Sequence, residues 1–311
     1  FIIILLTVLI ICLVGLGYFF FFRVDPMDLI KGINSDESTK ELKFLYAINN
    51  DPDSPLDTPM AVSVFNNKIY VSDSGKARVA VYNYNGKFER YIKPGDKEFN
   101  KPYGLTSDGS NLYVADQGQG KIFIFNAQGN FTREFEIKGE KLYSPGAIVF
   151  QNSKLYVSDM QKHKVLEFDA DGNFLKSFGS EGHGKGQLYF PHGVVVDAKG
   201  NVYVADSGNN RIVLFNADGS AGKFAGGDDS QVSDVLTPRG LTSDKNGNLL
   251  VVVGLANKLL SYSTEGTKIK EFGQFGKDYG QLSLPNGIAV DQNDRVYVTE
   301  VGNSRVSVFG Y

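Results

Sequence analysis

Four polar side chains stand at the same point of a repeated sequence phrase, directly after a proline. The prolines are 43–47 residues apart, at Pro59, Pro102, Pro145, Pro191, Pro238 and Pro285. The residues that follow them are Met60, Tyr103, Gly146, His192, Arg239 and Asn286. An arginine, a histidine, a tyrosine and an asparagine that converge on one surface could hold an anionic ligand. Tyr103, His192, Arg239 and Asn286 are therefore a candidate ligand face, provided that the fold gathers them.

The phrase that each proline opens predicts the elements that would gather these side chains. It contains a turn, a short apolar run, a polar turn and an alternating strand, as in PHGVVVDAKGNVYVADSGNNRIVLFNADG at 191–219. A period of about 40–50 residues built of strands and turns is typical of a β-propeller. Six copies of the phrase predict an all-β, six-bladed β-propeller.

A strand that precedes the first repeat is expected to close the ring. Most units add a fourth, outer strand after a glycine, but the sixth unit stops at Tyr311 before it reaches one. The segment ELKFLYAI at 41–48 has the fourth-strand pattern, and we expect it to cover the open edge of the last blade. The predicted domains are a hydrophobic helix at 1–25, a linker at 26–40 and the propeller at 41–311.

An acidic and a basic column flank one turn of the repeat, five residues apart. The acids are Asp73, Asp116, Asp159, Asp206 and Glu300, and the cations are Arg78, Lys121, Lys164, Arg211, Lys258 and Arg305. We expect each pair to bind one another and the turn amides, which is a structural role. The fifth unit has Val253 in the acidic column, within the apolar stretch LLVVVGLANKLL. Either this blade has drifted from the repeat, or a neighbouring subunit covers it.

The wording of the repeats, P-x-G-[IV]-x-V-[DS] followed by YVAD-x-G-x-x-[RK]-[IV], resembles the NHL-repeat family over residues 41–311. The resemblance implies a six-bladed propeller of a kind that mostly serves as a binding or scaffolding module, with a few enzymatic relatives. It also implies that the residue after each proline lies where the strands open onto the central channel. The alternative to a ligand face is that these side chains line a water-filled channel without a specific ligand.

The enzymatic relatives suggest two kinds of metal site that the sequence does not complete. Peptide-amidating lyases bind zinc through histidines from different blades, whereas His163, His183 and His192 occupy non-equivalent positions here. Lactonase-like propellers hold calcium in their channel, but Asn286 and Glu300 do not make a full oxygen cage. The sequence therefore predicts no catalytic residue, no metal and no cofactor, and a protein that is not an enzyme.

The first 22 residues carry no charged side chain, and at ~1.5 Å per residue they predict a helix long enough to span a bilayer. This segment resembles the N-terminal helix of mature type IV pilin-like filament subunits, which begin with a processed phenylalanine. Leu5 stands where bacterial pilins carry a glutamate, and archaeal-type subunits generally lack that acid. The residues expected to face a filament core or lipid are Phe1, Ile4, Leu5, Leu9, Leu13 and Leu16.

Composition narrows the possible partners. The net charge of −3 gives no basic excess for nucleic acid, and the single cysteine, Cys12, excludes an intrachain disulfide. The sequence favours a structural cell-surface protein whose helices assemble into an extracellular filament that displays propellers. The alternative is a single-pass membrane-anchored, extracytoplasmic propeller that binds a ligand or protein. Partners are then other copies of the chain or membrane lipid, and an unknown ligand at the propeller face.

Overall fold

The computed structural model describes residues 41–49, 54–222, 224–226 and 234–311, which form six four-stranded antiparallel sheets within the compact unit Leu42–Tyr311. The prediction of an all-β, six-bladed propeller is confirmed. The predicted helix at 1–25 and linker at 26–40 lie outside the described residues. Within the described ranges, no helix is long and apolar enough to cross a membrane.

Each blade is an antiparallel sheet, and the strand that begins at the repeat proline lines the central channel. Blade one contains β2 (Pro59–Phe65), β3 (Lys68–Asp73), β4 (Arg78–Asn83) and β5 (Phe88–Ile92). Blade two contains β6 (Pro102–Ser107), β7 (Asn111–Asp116), β8 (Lys121–Asn126) and β9 (Phe131–Glu134). Blade three contains β10 (Pro145–Gln151), β11 (Lys154–Asp159), β12 (Lys164–Asp169) and β13 (Phe174–Phe178). Blade four contains β14 (Pro191–Val196), β15 (Val202–Asp206), β16 (Arg211–Phe215) and β17 (Ala225–Gly226). Blade five contains β18 (Pro238–Ser243), β19 (Leu249–Val253), β20 (Lys258–Tyr262) and β21 (Lys268–Phe272).

Blade six combines the two ends of the propeller. It contains β22 (Pro285–Val290), β23 (Val296–Glu300) and β24 (Arg305–Gly310), with β1 (Lys43–Ile48) as its outer strand. Strand β1 pairs antiparallel with β24, and Ile48 lies opposite Val306. The outer edge of the last blade is therefore covered by a strand from before the first repeat.

The second and third strands are buried on both faces, because each blade packs against a neighbour on either side. Strand β15, VYVAD, has no exposed residue, and its β-branched and aromatic side chains suit such a position. Apolar clusters fill the spaces between blades; the cluster between blades one and two includes Tyr70, Phe123 and Phe125, all fully buried. Two short 3-10 helices, Ser74–Lys76 and Ser207–Asn209, form turns between second and third strands. The sheets thus form a rigid ring around the channel.

The acidic and basic columns pair directly where the cation is arginine. The arginine Nε lies 2.8 Å from the carboxylate in the pairs Arg78–Asp73, Arg211–Asp206 and Arg305–Glu300. Two of the three column lysines pair instead with an acid on the outer strand: Lys121 reaches Glu134 at 2.9 Å, and Lys258 pairs with Glu271. The guanidinium has further N–H groups that donate to connector carbonyls while Nε keeps the acid, whereas an ammonium is a single point of charge.

Candidate functional site

The glycine of the P-x-G phrase brings inner strands together at the channel mouth. At Gly104, Gly193, Gly240 and Gly287, a Cβ atom would lie closer than 3.0 Å to the backbone of the next inner strand. A side chain at these positions would push the neighbouring blades apart. The residue before each glycine consequently stands close to its counterparts in the other blades.

Two serine hydroxyl groups hydrogen-bond to the backbone of mouth residues in the next blade along the chain. Ser72 Oγ donates a hydrogen bond to the carbonyl oxygen of Tyr103, and Ser158 Oγ donates one to that of His192, each at 2.6 Å. Both serines are fully buried, so these bonds are shielded from competing water. The second strands therefore set the points from which the mouth side chains extend.

The four polar residues singled out in the sequence form one hydrogen-bonded group at the mouth. Arg239 Nη1 lies 2.6 Å from His192 Nε2, and the Tyr103 hydroxyl lies 3.0 Å from His192 Nδ1. Asn286 Nδ2 donates to the carbonyl oxygen of Met60 at 2.7 Å and to the Tyr103 hydroxyl at 3.4 Å. Side chains from blades two, four, five and six thus meet across the channel, and Tyr103 reaches both His192 and Asn286.

The protonation of the group follows from its contacts. Burial, together with the Arg239 charge, lowers the pKa of His192 to about 3, so the imidazole is neutral at physiological pH. Arg239 can only donate, so His192 Nε2 accepts, and the proton of the ring is on Nδ1. The Tyr103 oxygen then accepts from His192 and Asn286, and burial raises the pKa of this phenol. Its own hydrogen has no acceptor among the described residues.

Arg239 carries the positive charge of the mouth. Within the described residues its guanidinium contacts His192, and no acidic side chain there forms an ion pair with it. It also lines the channel cavity, about 300 Å³, where no other lining residue has a permanent charge. The remaining lining residues are neutral, and they include small ones such as Ala61, Ser63 and Ala147. A guanidinium and a phenol proton at the end of a neutral cavity can receive a small anion.

A second cavity of about 270 Å³ adjoins the mouth and shares Met60, Arg239 and Asn286 with the channel. Its other walls include Leu255, which is 65% exposed, and Leu284, which is 47% exposed. We call this cavity the blade-five cleft. The repeat pattern does not predict this cleft. One sequence feature nevertheless marks its place, because blade five alone has a glycine directly after the acidic-column position.

The other candidate metal ligands do not join the mouth group. His163 is buried, its Nδ1 accepts a hydrogen bond from the Phe190 amide at 3.0 Å, and its ring stacks on Tyr189. His183 is exposed and bonds to Asn209. Among the described residues, no group of three histidine, cysteine or acidic side chains is arranged to hold a metal ion.

Comparison with protein families identifies the repeat. Residues 188–215 and 282–309 match the model of the NHL repeat. The chain carries NHL repeats. Residues 51–143 match a family model described as a 6-bladed beta-propeller, and no curated protein sequence matches this chain.

Solved structures share the propeller at low sequence identity. A virginiamycin B lyase from Staphylococcus aureus is 15% identical, with 87% of this chain and 99% of that chain covered, at a TM-score of 0.60. A gluconolactonase from Xanthomonas campestris is 16% identical, with coverages of 87% and 95% and a TM-score of 0.61. An auxiliary nutrient binding protein from Bacteroides thetaiotaomicron is 13% identical, with coverages of 89% and 74% and a TM-score of 0.63. At these identities the likeness shows the propeller fold.

The prediction that this chain is not an enzyme is contradicted by these comparisons. Streptogramin B lyase and gluconolactonase are enzymes built on the same propeller. That prediction depends on three histidines that occupy non-equivalent positions of the repeat and on an incomplete set of oxygen ligands for calcium. Those two metal sites are too narrow a test, because a channel mouth can carry other sets of side chains on the same scaffold.

Proposed function

We propose that this propeller binds a small anionic molecule at its channel mouth, with Arg239 and the Tyr103 hydroxyl as donors and His192 and Asn286 as the groups that hold them. The observation that carries the proposal is a partly buried guanidinium whose described contacts leave it without a carboxylate partner. A buried cation that lacks an anion is unfavourable, and a ligand anion would remove that penalty.

The arrangement of the group supports the same proposal. His192 presents a lone pair to Arg239 and a proton to Tyr103, so it fixes both donors without adding charge. Asn286 holds the Tyr103 oxygen from the opposite side. Donors that are already oriented lose little conformational freedom when a ligand binds.

Isothermal titration calorimetry of the full chain tests this function, with acetate, octanoate, gluconate and inorganic phosphate as probes. We expect at least one probe to bind with one site per chain, and Arg239→Gln to weaken it at least tenfold. Arg133→Gln, at an exposed arginine of β9, is the matched control and should leave binding unchanged. Failure of all four probes to bind, or an equal loss in both variants, would refute the proposal.

We further propose that the uncharged stretch at 1–22 places the propeller at the cell surface, as a filament subunit whose copies assemble through this stretch. The single-pass membrane anchor is the alternative. In both cases an uninterrupted apolar segment of this length would be removed from water, by other copies or by lipid.

Fractionation of cells that express the full chain separates these possibilities. Recovery in sheared extracellular fibres supports the filament, and recovery as monomers in membranes supports the anchor. If the protein is found as a monomer outside both fractions, both proposals are refuted. Leu9→Lys should abolish either association. Leu45→Lys, which places the same charge on an exposed outer-strand position of the propeller, is the control.

A further inference from the structure

The turn between β19 and β20 in blade five differs from its five counterparts at two adjacent positions. The residue directly after the acidic column is Ser74, Gln117, Met160, Ser207 or Val301 in the other blades, and Gly254 in blade five. The next residue is Gly75, Gly118, Gln161, Gly208 or Gly302 elsewhere, and Leu255 in blade five. Blade five thus has no side chain at Gly254, beside the mouth, and an apolar side chain at Leu255, where most other blades have glycine.

The loss at Gly254 makes room for Arg239. A Cβ atom at Gly254 would lie 3.2 Å from Arg239 Cγ and 3.5 Å from the carbonyl oxygens of Thr237 and Pro285. The distance to Arg239 Cγ is tight and the other two are ordinary contacts, so a side chain larger than a methyl group would press on the arginine stem. Arg239 lines both the blade-five cleft and the channel.

The gain at Leu255 gives the cleft an apolar wall. Leu255 and Leu284 line the cleft as exposed leucines, Met60, Pro285 and Val301 add further apolar surface, and Thr58 and Thr237 are also part of the lining. Exposure of leucine side chains to water is unfavourable, so a ligand that covers them binds more tightly by the free energy of burying that apolar surface. At about 270 Å³ the cleft is near the lower limit of small-molecule sites, which suits a compact ligand.

Charge and apolar surface therefore lie side by side in one site. We infer that the ligand is an amphipathic monocarboxylate, whose carboxylate binds Arg239 and the Tyr103 hydroxyl and whose aliphatic or aromatic body fills the blade-five cleft. This inference rests on the proposed anion site and specifies which anions it selects. A polyhydroxylated acid would have to leave some of its hydroxyl groups against Leu255 and Leu284, so it should bind more weakly than an acid with an apolar body, even though Thr58 and Thr237 also line the cleft.

The test compares three carboxylates of equal charge by calorimetry on the full chain. Each buried methylene is worth about fourfold in affinity, so octanoate should bind at least tenfold more tightly than acetate or gluconate. If gluconate or acetate binds as tightly as octanoate, the inference is wrong while the anion site stands. If inorganic phosphate binds but no carboxylate does, the inference is likewise wrong while the anion site stands, and if none of these anions binds, the proposed function falls as well.

Variants locate the apolar body in the cleft. Gly254→Val should weaken octanoate binding at least tenfold, and Leu255→Gln should weaken it several-fold and so reduce the preference for octanoate over acetate. Leu175→Gln, at a similarly exposed leucine of β13, is the matched control and should alter neither. Circular dichroism verifies that each variant folds, and the octanoate preference of the wild-type chain is measured independently of any variant. If neither cleft variant weakens octanoate binding, the apolar body of the ligand does not occupy the cleft and the inference is overturned.

Discussion

Blades five and six follow one another in the ring, yet their second hairpins are stabilised in different ways. In blade six, Glu300 accepts hydrogen bonds from the Ser283 amide at 3.0 Å and from Asn303 at 2.6 Å, and it pairs with Arg305. Arg305 also donates to three connector carbonyls. In blade five, Val253 has no polar group to offer, and Lys258 turns outward to Glu271.

Blade five retains its position through bonds to its neighbours. The side chain of Asn210 in blade four accepts a hydrogen bond from the Thr237 amide at 2.8 Å, and Asn257 does the same for Leu284 in blade six. Both asparagines are in the left-handed region, at φ 51° and 55°. The contrast shows that a blade can lack the carboxylate at its second hairpin while these bonds to its neighbours persist, and that its turn can then form part of a cleft.

The most severe way to break the contrast is to remove the acid from blade six. Glu300→Ala leaves Arg305, which is 5% exposed, without its carboxylate, and should lower the free energy of unfolding by about 3–5 kcal/mol. Denaturant titration measures this loss. Glu271→Ala, which removes the half-exposed acid of blade five, should cost less than about 1 kcal/mol. Equal losses would show that the buried pair is not the main support of blade six.

The converse change inserts the missing acid into blade five. Val253 is fully buried, so Val253→Asp should destabilise the protein by about 2–3 kcal/mol, because Lys258 is committed to Glu271. Adding Lys258→Arg should recover at least about 1 kcal/mol, since an arginine can bend back to the new carboxylate. A double-mutant cycle by denaturant titration measures the coupling. Strict additivity would contradict this account of why arginine and lysine blades differ.

The burial of His192, together with the charge of Arg239 beside it, should also make stability depend on pH. The pKa of His192 is about 3 in the folded protein and about 6.5 when unfolded, so below pH 6.5 the unfolded state binds the extra proton. Stability is therefore lost as pH falls from 6.5 towards 3, by about 2 kcal/mol at pH 5 relative to pH 7.5.

The measurement is the difference in unfolding free energy between those two pH values, in the wild type and in His192→Gln. The variant should show a smaller loss, because it has no group that titrates at this position. Arg239→Gln should also reduce the loss, because it removes a positive charge beside the imidazole. An identical pH dependence in all three proteins would disprove the assignment.

The smallest expected effect is at the rim of the cleft. Leu255→Gln should change the free energy of unfolding by no more than about 0.5 kcal/mol, since this leucine is 65% exposed. Leu259→Gln, four residues on in β20, should cost several times more because its side chain is 2% exposed. Thermal denaturation of the two variants tests whether Leu255 serves the ligand or the fold.

The sequence was sufficient for the fold because its information is periodic. Each proline marks the start of an inner strand, and six copies specify six blades. The same alignment placed Tyr103, His192, Arg239 and Asn286 in one column, and the structure brings them into contact. Their hydrogen bonds depend on rotamers and on depth in the channel, which a repeat pattern does not contain.

Two features escaped the sequence for identifiable reasons. The blade-five cleft arises from the exchange of side chains between Gly254 and Leu255, and its effect depends on the path of Arg239 from another strand. The acid–cation columns looked uniform, but arginine and lysine reach different partners because their head groups differ in shape. The hydrophobic helix at 1–25 and the assembly of the chain stay predictions.

The pairing of β1 with β24 has a consequence for the order in which the protein is made. Strand β1 leaves the ribosome first among the blade strands but waits for its partner at 305–310. At about 5–20 residues per second, the roughly 260 intervening residues take about 13–50 s to synthesise. Throughout that time five blades can stack, while β1 has an unpaired edge that a second nascent chain could occupy. Closure of the ring therefore has to wait until residues 305–310 are synthesised, and until then the edge of β1 is a place where a chaperone could shield the chain.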